Sequence, residues 1–114
     1  MSDTILSTIR KLLGMEDDYT YFDNDILIHV NTAVSILSQL GIENIRVTEE
    51  TTWEDLLKNE NAFELVKDYI FLFTRKIFDP PANSFVVDSY EKTLKELEWR
   101  IVVATEHKEG ESNV

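Results

Sequence analysis

The sequence predicts an all-α fold: a compact bundle of four main helices plus one short helix, with a long C-terminal helix. Two observations predict it. Apolar residues recur at spacings of three and four in segment after segment, the period of a helix with one buried face. The few helix breakers, three Gly and two Pro in 114 residues, sit mostly where those patterns stop. The length suits a single domain. Residues 1–106 are expected to form it, with 107–114 as a flexible polar tail.

The first helix is expected over residues 3–13. Ser2 or Asp3 can cap it, Ile5, Leu6, Ile9, Leu12 and Leu13 recur at helical spacing, and Gly14 closes it. Arg10 and Lys11 lie in the last turn, where the helix dipole favours cations. An acidic loop follows, with Glu16, Asp17, Asp18, Asp23 and Asp25. Its spacing does not fit an EF-hand, which needs a Gly at the sixth position and a Glu at the twelfth. It reads as a solvated loop that donates N-caps such as Asp23 or Asn24.

The second helix spans residues 24–40. Ile26, Val30, Ala33, Leu37 and Leu40 form its stripe, widened by Leu27 and Val34; Asn31, Ser35 and Gln39 fall opposite. Residues 42–50 form a connector in which Ile45 and Val47 suit a short extended piece. Thr51 and Glu54 have capping-box spacing and open a short helix over 53–58, folding Trp53 onto the core. Asn61 and Glu64 open the fourth helix, 62–78. It is apolar nearly all round and therefore belongs at the centre; Pro80 and Pro81 stop it.

The fifth helix runs from about 84 to 106. Glu91–Lys95, Lys92–Glu96 and Glu96–Arg100 are i,i+4 pairs on its polar face. Val87, Tyr90, Leu94, Leu97, Ile101 and Ala104 make a heptad-type seam, too short for a free coiled coil and suited to packing on the same chain. The expected core is Ile9, Leu13, Ile26, Val30, Ala33, Leu37, Val66, Tyr69, Ile70, Phe73, Ile77, Leu94, Leu97 and Ile101.

Composition excludes several classes of function. With no Cys there is no disulfide scaffold, thiolate nucleophile or zinc ribbon. A formal charge of -11 is the wrong sign for a generic nucleic-acid binder. The longest strongly apolar run, Tyr69 to Phe73, is five residues, far short of a membrane span. The N-terminus has no signal-peptide pattern, which points to a reducing cytoplasm or whatever assembles there. His29 and His107 are the only histidines, on different helices, with no Gly-rich elbow or phosphate loop to join them. His29 reads as an ordinary boundary histidine. Neither an enzyme activity, nor a cofactor, nor a metal site is expected.

The far end of the fifth helix is the most informative feature. With Leu97 at 0° and about 100° per residue, Ile101 and Ala104 fall beside it at about 40° and 340°. Trp99, Val102 and Val103 fall on the other side, at about 200°, 140° and 240°. One small domain covers one side of a terminal helix but rarely both. The other side is then an exposed apolar patch, the mark of an interaction surface.

These residues resemble a known family, the head–tail connector (adaptor, or head-completion) proteins of long-tailed bacteriophages and prophages. Leu12-Leu13-Gly14 with the acidic loop resembles its first helix. Asp25 to Asn31, Ala33 and Gln39-Leu40-Gly41 resemble its second. Lys67, Tyr69, Ile70 and Leu72, then Arg75 and Phe78-Asp79-Pro80-Pro81, resemble its most recognisable stretch. Ser84-Phe85 and Leu94 to Arg100 match its closing helix. The similarity covers roughly residues 3–101; the connector and the tail lie outside the matched motifs.

The resemblance implies a structural virion protein, assembled in the host cytoplasm. It implies a ring of copies, usually twelve-fold, below the portal protein, although the isolated chain can be a monomer. The ring extends the DNA channel and receives a stopper or tail-completion protein on its distal side. DNA passes through without being specifically bound. Carried onto this chain, Trp99, Val102, Val103, Glu106 and His107 are the candidate partner-binding residues. The first helix with the acidic loop, and the exposed half of the last helix, are candidate ring surfaces. An acidic lumen repels phosphates, but net charge does not place the acids on the lumen. The rival class is a small acidic regulatory protein, a DNA mimic or an adaptor for a host enzyme. It shares the charge and the sticky helix, and differs in binding one partner at about 1:1.

Overall fold

The computed structural model describes residues 3–57 and 62–112, the last six of these through their backbone alone. Five helices and no strand occupy the described residues. They are α1 (Ile5–Leu12), α2 (Asp23–Ser38), α3 (Trp53–Leu56), α4 (Phe63–Phe78) and α5 (Ser84–Ser112). Helix α4 lies between α2 and α5, and α1 packs across α2 and α4. Phe22 and Phe78 meet at the start of α2 and the end of α4, so these helices are antiparallel. Tyr69 reaches Glu98 from α4 to α5, and Thr105 reaches Leu40 just past the end of α2, so α5 runs in the same direction as α2 on the other side of α4.

The core contains twelve of the fourteen expected residues. Leu13 is only half-buried at the C-cap of α1, and Ile77 is 45% exposed on the last turn of α4. At that turn Phe78 is the side chain that packs, on the Phe22 ring, and Ile77, about 100° round the helix, faces water. Ile5, Leu6, Val34, Ile42, Val47, Trp53, Leu56 and Ala62 complete the core. Each large aliphatic among them is worth about 1.5–3 kcal/mol of burial.

Helix boundaries moved where the backbone found better partners. Thr4, not Ser2 or Asp3, caps α1: its hydroxyl accepts from the Ser7 amide at 3.1 Å. The capping box lies one residue later than its spacing suggested, on Thr52 and Asp55. Thr51 is taken up elsewhere. Its carbonyl accepts from the Ile5 amide at 2.9 Å, and its hydroxyl accepts from the Thr48 amide at 2.8 Å. That short pairing, with the Thr4–Thr52 bridge, straps the connector to α1. Helix α3 stops at Leu56; Lys58 and Asn61 lie outside the described residues. Helix α4 follows Ala62. Asn83 caps α5 by accepting from the Phe85 amide at 2.8 Å. Helix α5 continues past the expected stop near Glu106 to Ser112.

Polar side chains hold the irregular segment. Asn31, expected on the outer face, turns to the connector and grips Val47 at both backbone groups. Its amide nitrogen donates to the Val47 carbonyl at 3.0 Å, and its oxygen accepts from the Val47 amide at 2.7 Å. This replaces the strand partner that an extended Val47 would need, so 45–47 forms no strand. Trp53 is buried, as its capped turn predicted. Its indole N–H donates to the Thr8 hydroxyl at 2.9 Å and its ring meets Phe63 edge-on.

Asp23 is not an N-cap either. It is the first residue of α2, nearly buried, with Oδ1 3.1 Å from Arg10 Nε. The contact is an ion pair set off the line of a hydrogen bond. Arg10 also donates to the Asp17 carbonyl. The cation read as a dipole partner of α1 thus ties the acidic loop and α2 to it. Breaking one side of such a shielded pair leaves the other charge uncompensated.

Two predictions follow from these contacts. Asn31→Ala orphans two buried backbone groups, at about 1–3 kcal/mol each. Thermal unfolding of the variant should therefore drop by about 8 °C or more. Tyr69 is buried against the Glu98 carboxylate, and burial, then Glu98, pushes its phenol well above the ordinary tyrosine value. The raised value stabilises the fold below pH about 10, where tyrosine is protonated in both states. That contribution is lost as pH rises further, because the unfolded chain releases the proton first. Tyr69→Phe should cost about 1 kcal/mol at neutral pH and remove this alkaline component from the stability profile.

Candidate docking surface

The end of α5 is fixed on one side by three contacts. Ile101 is fully buried. The Tyr69 hydroxyl donates to Glu98 Oε2 at 2.8 Å from the middle of α4. The Thr105 hydroxyl shares its proton between the Leu40 carbonyl at 3.1 Å and the Val102 carbonyl at 2.9 Å. Leu40 is followed by Gly41, whose φ of +107° turns the chain out of α2. A Cβ at Gly41 would stand 2.8 Å from Thr105 Oγ1. Gly41 is therefore required twice, for its backbone angle and for the space above it.

The other side of the same helix is open. Trp99 is 66% exposed and Val103 43%. They flank a shallow groove of about 340 Å³, completed by Leu65 of α4 with Arg100 and Ala104 of α5. Arg100 is held at its rim by Glu96, at 3.0 Å. The candidate residues are thus only partly brought together. Val102 is half-buried and does not line the groove. Glu106 is exposed beside it in sequence, and the His107 side chain lies outside the described residues. Leu65 and Arg100 belong to the surface but were not singled out from sequence. Leu65 comes from another helix, and no pattern within one helix reveals such a neighbour. The exposed Phe85, at the start of α5, lies on the same side as Trp99, fourteen residues or about 21 Å away.

A larger hollow of about 800 Å³ lies between α2 and the connector, lined by Ile28, Asn31, Arg46 and Glu49 among others. It contains no candidate residue, and its Asn31 amide is committed to Leu27 and Val47. His29 is half-buried with its ring 6.5 Å from that of Phe78. Among the described residues, no three His, Asp or Glu side chains converge as a metal-ion site. Among them also, no helix is long and apolar enough to cross a membrane. The surface is suited to binding another macromolecule through apolar contact, with one ion pair at its edge.

A family model described as phage connector protein matches residues 5–108 of the chain. No curated protein and no solved structure matches.

Gly41→Ala should cost about 1–3 kcal/mol through backbone strain alone, with the Thr105 clash added. Thr105→Ala in the same chain should relieve the contacts with Oγ1 and Cγ2, and leave the strain and the tight approach of the Thr105 Cβ at 3.0 Å. Chemical denaturation of the two single variants and the double variant measures this coupling; additive costs would show that Gly41 does not seat α5.

Proposed function

The chain belongs to the phage connector protein family, and from that membership we propose that it is a structural, non-enzymatic head–tail connector. Membership makes it a virion component that works among other head and tail proteins. In this reading copies assemble as a ring below the portal, extend the DNA channel and receive the stopper or tail-completion protein. The Trp99–Val103 groove meets the portal or the neighbouring copy.

The observation that carries the reading is the uncovered apolar end of α5. Trp99 is one of the two tryptophans, the largest side chains in the molecule, and two-thirds of it faces water. An aromatic residue packed beside a shallow apolar groove is the kind of anchor that dominates binding energy at interfaces. Arg100 and Glu96 at the rim keep the surface soluble until it is covered. A ring also needs two different patches on each copy, closed by rotation. The formal charge of -11 per chain is consistent with a passage that DNA slides through without sticking.

Negative-stain images of the protein alone and with a portal ring test the stoichiometry. Many copies per complex are expected; a single partner bound at about 1:1 would favour the acidic regulatory reading instead. Trp99→Ala should unfold within about 4 °C of the parent, since the side chain is mostly exposed. It should nevertheless lose about tenfold or more in binding to portal-bearing heads. Unchanged binding would remove the groove from the interface.

A further inference from the structure

A second apolar surface stands open at the opposite end of the bundle. Tyr19, Tyr21 and Phe22 leave the acidic loop together. Tyr21 meets Phe22 edge-on at 4.9 Å between ring centroids, and Phe22 meets Phe78 edge-on at 5.2 Å. Tyr19 lies 6.0 Å from Phe22. Phe22 and Phe78 are half-buried and anchor the row to α2 and α4. Tyr21 is 80% exposed and Tyr19 45%, so two rings of the row present their faces and hydroxyls to water. The fold does not need them there: the loop is already tied down by Arg10 through Asp23 and the Asp17 carbonyl. Rigidly held tyrosines with exposed faces are a common means of binding protein surfaces.

Charge selects the occupant. Glu16, Asp17, Asp18, Asp25 and Asp79 are all exposed and flank these rings in sequence. The cations nearby in sequence are Arg10, engaged as above, with Lys11, Arg75 and Lys76. Carboxylates outnumber the cations left to meet a partner. A nucleic acid or an anionic bilayer is repelled. A second copy of the chain brings its own net -11 and is disfavoured for the same reason. What fits is a cation over a ring face, its charge met by a carboxylate, beside an apolar side chain seated between rings.

We infer that the Tyr19–Tyr21–Phe22–Phe78 surface docks a basic, amphipathic segment of a different protein. The site is separate from the Trp99 groove. Helix α2 begins at one and ends near the other, and its sixteen residues span about 24 Å. The two surfaces therefore accept two partners at once, and the inference stands whether or not the groove meets a portal.

The test is a titration of the isotopically labelled full chain, followed by NMR. The probes are a synthetic fifteen-residue Arg/Leu amphipathic peptide and its Glu/Leu counterpart. The Arg/Leu peptide should shift resonances of residues 17–25 and 77–79. Its affinity should fall by about tenfold in Tyr21→Ala, and also in Asp18→Lys and at high salt. It should be unchanged in Trp99→Ala. Tyr21 and Asp18 are exposed, so neither variant threatens the fold. The inference is overturned by no binding, by equal binding of the Glu/Leu peptide or to Tyr21→Ala, or by shifts centred on Trp99 and Val103.

Discussion

Helix α5 has 29 residues; the central helix α4 and its other neighbour α2 have 16 each. At 1.5 Å per residue that sets a rod of about 43 Å against cover of about 24 Å. The rod is longer than its bundle, and along the stretch that packs only one of its sides is covered. Leu94, Leu97 and Ile101, in the middle, are buried on α4. Phe85, Trp99 and Val103, on the opposite side of the same helix, face water. Such exposure disfavours the isolated chain only slightly. Its value is in the complex, where the same area leaves water on binding.

A helix that carries a docking face transmits a binding event only if its seat is firm. Polar contacts provide the seat here, and each lies at a point where hydrophobic packing alone would allow sliding. Tyr69 fixes the register of α5 on α4 through Glu98. Thr105 and Gly41 fix it against the end of α2. The connector is held in the same way, by Asn31 on Val47 and by Thr51 on Ile5. Hydrogen bonds are directional where apolar contacts are not, so a few of them define one arrangement among many of similar buried area.

The acidic composition separates the two open surfaces. At the Trp99 groove Arg100 is balanced by Glu96, so apolar contact governs. At the aromatic row Glu16, Asp17, Asp18, Asp25 and Asp79 are exposed, and charge governs. One small chain thus offers two chemically different ends about 24 Å apart, an arrangement suited to a piece that joins unlike neighbours.

Much of this was legible from the residues. The all-α class, the five helices, the central place of α4, the seam of α5 and the exposure of Trp99 and Val103 all follow from periodicity, because a helix must bury one stripe whatever it packs against. Family membership was legible from short motifs in a fixed order. The sequence by itself did not determine contacts between segments distant along the chain. Asn31 was assigned to the solvent face, Asp23 to a cap, and the capping box to Thr51 and Glu54, since each residue type suits those local roles. Tertiary structure decided otherwise. It supplied Val47, Arg10 and Ile5 as stronger partners, and it left Ile77 in water on the last turn of α4. A polar side chain bonds to whichever complementary group the fold brings near, and only the folded chain brings residues 31 and 47, or 10 and 23, together.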